Sequence, residues 1–445
     1  MIGNPPYVNF ASLRKIERKY FKNNYNVYKN KTDLYAFFIE RVNLLINKKG
    51  KLSFIIPHTW LATTSFYPLR TLLLNTLFVK EIVELDFGVF KDAIVKTVII
   101  TVSRLKQNKI VVLDSNLKSK VNIPIKIILN DEENKINLEW NPKKQKVFDR
   151  IFLDSARLER YVKFTRGIKT SNDKRFLSFT KENKEYKSVL RGRNIKAYRI
   201  DYNNEYVWYR PDLMKEKVGS LPHTKELFEV NEKLITQRVN SSGQLLVAYD
   251  NSGYYSLDTT NVSIIQDSEV NLKTILGILN SKLINWWFND IFRMPTISGY
   301  ELHQIPIHYP SNEINIIEAV NKMLELNGKL KGLSDKYIHR ITDYFELEKI
   351  SQKLQSFYEY DFKQFRTELK KQKIILSLKQ QDEWEEYFNK YKTEINQLQE
   401  QITKMDNEID VMVYKLYNLT YDEVKIVDPN FWMREGEYNN FEISN

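Results

Sequence analysis

The fold class is decided by residues 32–57, TDLYAFFIERVNLLINKKGKLSFIIP. Thr32 and Asp33 are suited to cap a helix, and Gly50, after two lysines, is a stop signal. A buried strand, Leu52 to Ile56, is expected next, ending at Pro57. The apolar face of the helix is predicted to consist of Leu34, Phe37, Phe38, Val42 and Leu45.

The alternation of helix and strand continues further along the chain. The pattern predicts a second helix from Ser65 to Leu77, then strands near Ile82 to Leu85 and Val98 to Val102. Such alternation is typical of a wound α/β layer, which we assign to residues 1–108. Short β runs with Asn and Pro punctuation follow, and they indicate a connection between domains over residues 109–150.

Two further regions are distinguished by composition. Residues 151–312 contain short aromatic and β-branched runs, with at least one helix expected around Leu272 to Phe288, which predicts a mixed α/β domain. Residues 313–445 have almost no Gly or Pro, and they are predicted to be helical. Spacings of three and four from Ile395 to Leu416 favour either a coiled-coil-like antiparallel helix pair or packed arm, or a helix buried against its own domain.

Composition excludes several classes of protein. The chain has 445 residues, 42% hydrophobic and 28% charged, with a mean hydropathy of −0.48, which is ordinary for a soluble protein of two or three domains. No stretch approaches the roughly 20 apolar residues of a spanning helix. The absence of cysteine excludes disulfides, thiolate zinc sites and a cysteine nucleophile. Without a secretory signal at the start, a cytoplasmic location is expected.

The charge balance points to a polyanionic partner. The chain carries 68 Lys and Arg against 56 Asp and Glu, a net charge of +12. Its 27 tyrosines and 24 phenylalanines are interleaved with the basic residues. Because aromatic faces stack on bases while cations hold phosphates, the combination favours nucleic acid.

The most informative motif is Asn4-Pro5-Pro6-Tyr7. The two prolines remove two N–H donors, so carbonyl groups there stay free to accept, and the Asn4 side chain offers a further acceptor. Convergent acceptors suit an exocyclic amine such as that of adenine or cytosine, and Tyr7 is placed to stack on the base that carries it. The alternative is a simple Asn-Pro turn.

This motif and its neighbours resemble those of a known family. Asn4-Pro5-Pro6-Tyr7 is similar to motif IV of the gamma-class, Taq-type DNA amino-methyltransferases with a fused target-recognition domain, the group that includes type IIG restriction-modification enzymes. The likeness continues in Asp33-Leu34-Tyr35 and in residues 50–57, and Val89-Phe90-Lys91-Asp92 is similar to motif VIII. The resemblance implies an incomplete class I, Rossmann-like methyltransferase sheet followed by a target-recognition domain.

The resemblance also implies roles for individual residues. Asn4 and the Pro5 carbonyl would accept hydrogen bonds from N6 of a flipped adenine, with Tyr7 stacked on one face of the base. Phe90 would contact the base from the other side, unless it is a core aromatic residue. The methyl donor would be S-adenosylmethionine, and Asp33, Leu34 and Tyr35 would line one side of its pocket. The chemistry agrees, because an amine needs orientation and dispersal of positive charge rather than a metal.

The chain departs from the family in its cofactor segments. The family binds its cofactor with a glycine loop and an acidic residue that both precede motif IV, whereas this chain begins at motif IV. None of its 13 glycines stands two positions from another, so no G-x-G replaces that loop. We therefore expect the C-terminal portion of a larger enzyme: a fragment, a truncated product or one member of a split pair. An N-terminal methyltransferase half or a nuclease-bearing polypeptide is the expected partner besides double-stranded DNA.

Candidate DNA-binding residues lie in two regions. The stretch between Tyr7 and Thr32 is rich in basic and aromatic residues, which is typical either of a phosphate-gripping loop or of a solvated basic helix. In the middle domain, Gly167 and Gly192 are flanked by Arg, Asn and Thr, and we expect them to let the backbone approach DNA while the side chains read base edges. The candidates are Arg14, Lys15, Arg166, Lys169, Thr170, Asn172, Arg191, Arg193, Arg238 and Arg293.

The sequence leaves three functional hypotheses open. The first is a site-specific adenine-N6 DNA methyltransferase of a restriction-modification or phage-defence system. The second is a non-catalytic DNA-specificity module, and the third is a decayed remnant. The five histidines form no catalytic or metal-binding pattern, so neither a metal nor a histidine role is assigned.

Overall fold

The computed structural model describes residues 1–29, 31–86, 96–216, 218–239, 243–292, 296–347 and 349–442. The chain divides into two compact units, Met1–Gln145 and Lys146–Asn445. In chain order, the elements of the first unit are β1 (Ile2–Gly3), α1 (Lys15–Asn24), α2 (Leu34–Leu45), β2 (Lys51–Pro57), α3 (Tyr67–Asn75), β3 (Phe78–Glu84), β4 (Thr97–Ser103), β5 (Lys109–Leu113), β6 (Ser119–Pro124) and α4 (Ile125–Leu129).

Within its described residues, the first unit contains one six-stranded sheet in the order β1-β2-β4-β3-β5-β6. β1 pairs with β2 in parallel, and β3 pairs with β5 in parallel. β4 is inserted between β2 and β3 and is antiparallel to both. The predicted α/β layer is confirmed, and the carboxyl ends of β1, β2 and β3 lie at one edge of the sheet.

The region expected to be a connection is part of this sheet. β5 and β6, over residues 109–124, extend it beyond β3, and the boundary between the units lies at Gln145, inside α5 (Pro142–Phe152). The expected boundary at residue 108 is therefore wrong. Short strands with turn residues between them resemble a linker locally, and only their pairing with β3 reveals them as part of the core.

The buried face of α2 differs from the predicted one. Tyr35, Ala36, Phe37, Ile39 and Val42 are buried, each burial of a large side chain being worth about 1.5–3 kcal/mol. Phe38 and Leu45, both predicted to be buried, are 46% and 61% exposed. The helix therefore presents a second, partly exposed apolar stripe to solvent.

The second unit begins within α5. Its remaining elements are β7 (Ala156–Arg157), β8 (Val162–Arg166), α6 (Asp173–Phe176), β9 (Leu177–Ser178), β10 (Tyr186–Leu190), β11 (Ile195–Lys196), β12 (Arg199–Ile200), β13 (Tyr206–Trp208), α7 (Pro211–Met214), β14 (Lys233–Gln237), β15 (Val247–Asp250), β16 (Tyr255–Ser256), β17 (Thr260–Ile265), α8 (Leu272–Asn280), α9 (Lys282–Phe292), α10 (Gly299–His303), β18 (Pro306–Ile307), α11 (Ile314–Tyr344), α12 (Gln352–Gln355), α13 (Phe362–Lys371), α14 (Leu378–Leu416), α15 (Tyr421–Val427) and α16 (Glu435–Asn440).

Over the residues described, the strands of this unit form two four-stranded sheets, β15-β14-β17-β8 and β16-β10-β13-β9, and two small pairs. The region around Leu272 to Phe288, where at least one helix is expected, contains two helices, α8 and α9. They separate at Ser281, which has extended backbone angles and whose hydroxyl accepts from the Ile284 N–H at 3.3 Å. Such a capping residue begins a new helix.

The last part of the chain is helical, as predicted. α11 and α14 have 31 and 39 residues and pack against each other. Ile316 and Ile409 both approach Gly277, while the rings of Tyr344 and Trp384 lie 5.1 Å apart, so the two helices run antiparallel. None of the helices in the described ranges is long and apolar enough to cross a membrane.

Candidate functional site

The Asn4-Pro5-Pro6-Tyr7 segment lies at the carboxyl edge of the first unit's sheet. It follows β1, which pairs with the middle of β2 through Gly3 and Phe54. A Cβ atom at Gly3 would lie 2.9 Å from the Phe54 ring, so a glycine lets β1 approach β2 closely. In open α/β sheets, ligands bind at the carboxyl ends of the strands, which is where this segment lies.

Tyr7 is fixed against the sheet by its hydroxyl group. The Tyr7 hydroxyl donates a 3.0 Å hydrogen bond to the Ile55 carbonyl in β2. Partial burial raises the pKa of Tyr7 to about 12, so the phenol remains a donor at neutral pH. Asn4 is exposed, Pro5 is buried and Tyr7 is half-buried. The segment therefore offers an accessible amide next to an aromatic ring held in one place.

The first turn of α2 lies beside this segment. The Leu34 N–H donates to the Val8 carbonyl at 3.0 Å. Burial raises the pKa of Asp33 to about 6, against a hydrogen bond from Asn9 that lowers it, and Asp33 Oδ1 is buried without a hydrogen-bond partner in the described part of the chain. Of the three predicted cofactor residues, Asp33 keeps a free acceptor, and the motif segment and α2 are brought together as expected.

Tyr35 serves the core instead. It is fully buried, its ring stacks on Phe66 at 5.3 Å, and its hydroxyl lies 3.4 Å from Thr59 Oγ1. Burial raises its pKa well above the usual range. A side chain enclosed in this way is not available to a cofactor, so the predicted contact of Tyr35 with the cofactor is wrong.

Sequence reasoning missed the turn that follows β2, residues 58–61, at the same edge of the sheet. Arg70 is fully buried and holds this turn by donating from Nη1 to the carbonyls of Trp60 and Thr63, at 2.7 and 2.9 Å, and from Nε to the Glu133 carbonyl at 2.9 Å. Its burial lowers its pKa. A single arginine in an apolar helix gives no sequence signal of this role.

Four other predicted residues either lie at the surface of α1 or fall outside the described residues. Arg14 and Lys15 are exposed at the start of α1, so the basic stretch contains the helix that was the alternative to a loop. Arg14 pairs with Glu17 at 2.5 Å. Phe90 and Arg293 lie outside the described residues.

In the second unit, residues 256–260 form a hub on which three loops converge. The hub is the segment that joins β16 to β17. The Ile168 N–H donates to the Ser256 carbonyl at 2.7 Å, and the Asp258 N–H donates to the Ile168 carbonyl at 2.8 Å. The Gly192 N–H donates to Thr259 Oγ1 at 2.9 Å, and the Arg238 N–H donates to the Thr259 carbonyl at 2.9 Å. The loops that follow β8, β10 and β14 are therefore fixed to one segment.

This convergence brings four of the predicted arginines together. Arg166 pairs with Asp258 at 2.8 Å, and Arg238 donates to the Asp258 carbonyl at 3.4 Å. Burial and neighbouring Arg166 lower the pKa of Arg238. Arg191 pairs with the buried Glu205 at 2.7 Å, and the more exposed Arg193 lies 3.8 Å from the same carboxylate.

The other predicted residues of this region lie on the loop after β8. Lys169 is exposed, and its backbone exchanges hydrogen bonds with Leu221 at 3.0 and 2.8 Å. Thr170 donates to Asp173, and exposed Asn172 caps α6 by accepting from the Lys174 N–H at 3.1 Å. Their local contacts leave the Lys169 ammonium and the Asn172 amide at the surface.

The glycines of these loops lie close to the backbone of their own chain. A Cβ atom at Gly167 would lie 2.1 Å from the Leu257 carbonyl oxygen, and one at Gly192 would lie 2.6 Å from that of Thr259. Both glycines therefore allow close approach to the hub of their own chain. These contacts explain both glycines without DNA, and the approach of the loop backbone to DNA stays a prediction.

Comparison with known proteins relates these sites to families. Residues 1–90 match the Eco57I restriction-modification methylase family, and residues 187–307 match the TaqI-like C-terminal specificity domain. The chain therefore contains a segment similar to restriction-modification methylases, followed by a segment similar to TaqI-like specificity domains. Residues 310–413 match a domain family of unknown function, DUF8810.

Two curated proteins and one solved structure are similar to parts of the chain. The chain is 28% identical over 379 residues to RM.MjaORFECS2P of Methanocaldococcus jannaschii, named as a type II restriction enzyme and methyltransferase, and the match covers 77% of this chain and 30% of that protein. It is 38% identical over 81 residues to the type II methyltransferase M.TthHB8I of Thermus thermophilus, covering 16% and 19%. The type IIL restriction-modification enzyme MmeI, solved with DNA, aligns at 13% identity and a TM-score of 0.46, over 74% of this chain and 49% of that one. The chain thus spans less than a third of either curated relative.

Proposed function

We propose that this chain supplies the base-binding half of an enzyme that transfers a methyl group from S-adenosylmethionine to N6 of an adenine flipped out of double-stranded DNA. The observation that carries the proposal is the placement of Asn4 to Tyr7 at the carboxyl edge of β1, with the Tyr7 ring fixed by its bond to β2. Flipped bases are bound by stacking and by hydrogen bonds to their polar edge, and both are available here.

The residues of the chain act by orientation. The Asn4 amide oxygen and the Pro5 carbonyl would accept the two N–H groups of the amine, and Tyr7 would stack on the purine. Carbonyl dipoles aimed at the amine stabilise the positive charge that develops on nitrogen during attack. No base or metal is required for this step, since the amine attacks in its neutral form.

The residues beside the motif fit a cofactor in part. S-adenosylmethionine would supply the electrophilic methyl group. Its hydroxyl and amino groups are donors, and Asp33 offers an acceptor oxygen that lacks a partner within the described residues. Exposed Phe38, one turn beyond Leu34 on α2, offers a ring for stacking. Residues 1–445 contain no G-x-G, so a glycine loop like that of the family would come from sequence outside them.

A segment that covers the exposed stripe of α2 is part of the proposal. Phe38 and Leu45, on that stripe, are 46% and 61% exposed. Exposed apolar surface favours association with another segment, and we propose that this segment is the cofactor-binding half of a methyltransferase.

The second candidate function is a DNA-specificity module without catalysis. It is favoured by the second unit, in which the arginines around residues 256–260 are held by contacts within that unit. Under this alternative the chain binds DNA with a strong dependence on salt and transfers no methyl group in any combination.

The test is methyl transfer from labelled S-adenosylmethionine to unmethylated DNA, with analysis of the modified base. The chain is assayed alone and with a second polypeptide that carries the family's cofactor-binding half. We expect N6-methyladenine on complementation, and its loss in Asn4→Ala and Tyr7→Ala but not in Asn116→Ala, an exposed asparagine of the same unit. Methylcytosine would overturn the choice of base, and full activity of Asn4→Ala would overturn the site. DNA binding with no transfer would favour the specificity module.

A further inference from the structure

Two arginines of the second unit are held along the same edge of the guanidinium group. Arg166 donates from Nε to the Asp258 carbonyl at 3.3 Å and from Nη2 to Asp258 Oδ2 at 2.8 Å. Arg191 donates from Nε to Glu205 Oε2 at 2.8 Å and from Nη2 to Oε1 at 2.7 Å. Each guanidinium is therefore bound along its Nε–Nη2 edge by one acidic residue.

The other edge of each guanidinium is left open. A guanidinium carries five N–H donors in a rigid fork, so the Nη1–Nη2 edge still has two parallel N–H groups to offer. Nη1 of Arg166 makes no hydrogen bond among the described residues. Nη1 of Arg191 makes no hydrogen bond there either, but it forms a loose ion pair with the exposed carboxylate of Asp173 at 3.8 Å, which a ligand would have to displace. The side chains of Arg166 and Arg191 are 38% and 27% exposed, so both reach the surface.

The two forks are fixed before any ligand arrives. Glu205, only 3% exposed, is buried, and Asp258 belongs to the hub on which the loops converge. The loop that carries Arg191 is fixed as well, since its backbone N–H donates to the Asn194 side chain at 2.7 Å. Little side-chain entropy is lost when a preoriented fork binds, so binding through it is favoured.

We propose that Arg166 and Arg191 each present the free Nη1–Nη2 edge to a pair of acceptor atoms on DNA, with Asp258 and Glu205 as the positioning residues. This inference rests on the proposed DNA-binding function and deepens it. The acceptor pair is either O6 and N7 of a guanine in the major groove or two oxygens of one phosphate, because both match the fork. In the first case the recognition sequence contains a guanine opposite each arginine.

The test begins with selection of bound duplexes from a randomised pool by the full chain. Affinities for the selected duplex are then measured for wild type, Arg166→Lys and Arg191→Lys, since lysine keeps the charge but loses the fork. We expect each variant to lose about 5- to 150-fold in affinity. Arg199→Lys is the matched control, because Arg199 is also held by a carboxylate, Asp201 at 2.8 Å, outside the two pairs. Thermal melts of all variants check the fold.

The positioning role has its own readout. Asp258→Asn and Glu205→Gln should each weaken DNA binding as much as the lysine substitution of the arginine that they hold. Combining either variant with that lysine substitution should cause little further loss of affinity. A merely structural role would instead add to the arginine effect and lower the melting temperature.

Modified DNA distinguishes the two sources of acceptors. Replacement of selected guanines by 7-deazaguanine removes N7 and should abolish the difference between wild type and the lysine variant if guanine is bound. Methylphosphonate linkages should abolish it if a phosphate is bound. The inference is overturned if both lysine variants bind like wild type, or if their loss persists on both modified DNAs. Absence of any salt-dependent DNA binding would overturn the proposed function itself, and the inference with it.

Discussion

Replacement of Arg70 by Met should open the turn at residues 58–61 beside the candidate site. The change removes three hydrogen bonds from a fully buried guanidinium to the carbonyls of Trp60, Thr63 and Glu133. Each hydrogen bond from a charged donor contributes about 1.5–3 kcal/mol. The substitution also removes a buried charge and the buried Nη2 atom, which has no hydrogen-bond partner in the described chain. This gain offsets part of the loss, so we expect the turn to be destabilised by about 3–4 kcal/mol.

Hydrogen exchange is the appropriate measurement, because the effect is local. The Thr63 N–H donates to Thr59 and the Ile136 N–H to Leu61, at 3.1 and 2.9 Å, and both bonds depend on the turn. A local cost of 3–4 kcal/mol corresponds to exchange that is faster by roughly two to three powers of ten at these amides, up to the limit set by global unfolding.

Arg104→Met is the matched control for this experiment. Arg104 donates to the carbonyls of Asn43 and Ile46 but is only half-buried, so water can replace it. Its loss should cost no more than about 1.5 kcal/mol. Equal exchange at Thr63 and Ile136 in the two variants would refute the argument that burial makes Arg70 the holder of the turn.

Three further predictions concern the second unit. Gly167→Ala and Gly192→Ala should lower the melting temperature and weaken DNA binding. Gly299→Ala is the control and should do neither, because its Cβ would have its nearest contact at 3.8 Å. Normal DNA binding by both loop variants would contradict the role of the hub. Lys233→Met should destabilise the unit by about 3–5 kcal/mol in denaturant titration. Lys233 Nζ and Asp250 Oδ2 form a fully buried ion pair at 2.6 Å, and the substitution leaves the buried carboxylate without its cation. Burial and the charge of Asp406 raise the pKa of Asp410 to about 7, although Lys282 acts in the opposite direction. The folded state therefore binds more protons than the unfolded state between about pH 4 and 7, and the stability should fall as the pH rises through this range. Asp410→Asn should flatten that decline in melts at pH 5 and 8, and an unchanged slope would exclude Asp410 as its source.

Local pattern was sufficient for the elements of the first unit but not for their extent. The helix after Asp33 and the strand ending at Pro57 were predicted because periodicity and end signals agreed. β5 and β6 were mistaken for a connection because a strand's partner, here β3, is set by pairing that spans tens of residues. Burial of α2 was misjudged for a similar reason, since a stripe such as Phe38 and Leu45 is covered or exposed according to its neighbours.

The candidate DNA-binding residues show the same division. Residue type was enough to select Arg166 and Arg191. Their acidic partners are 92 and 14 residues away, and the close approach of Gly167 to the Leu257 carbonyl is likewise invisible in the sequence. Which edge of a guanidinium is free depends on such contacts, and sequence reasoning has no access to them.

The pattern of satisfied and unsatisfied polar atoms separates the two sites. Around the first, Asp33 Oδ1, Trp60 Nε1 and Arg70 Nη2 are buried without hydrogen-bond partners among the described residues. Buried polar atoms without partners are costly, and they are often found where a ligand or another chain supplies the missing contact. Over the same residues, the hub contains one such atom, Ser256 Oγ, but none belongs to Asp258, Glu205 or the arginines they hold. The ion pairs that orient Arg166 and Arg191 are therefore complete within this chain, whereas three polar atoms near the Asn4 to Tyr7 segment remain to be satisfied, as the proposed need for a cofactor and a second segment would require.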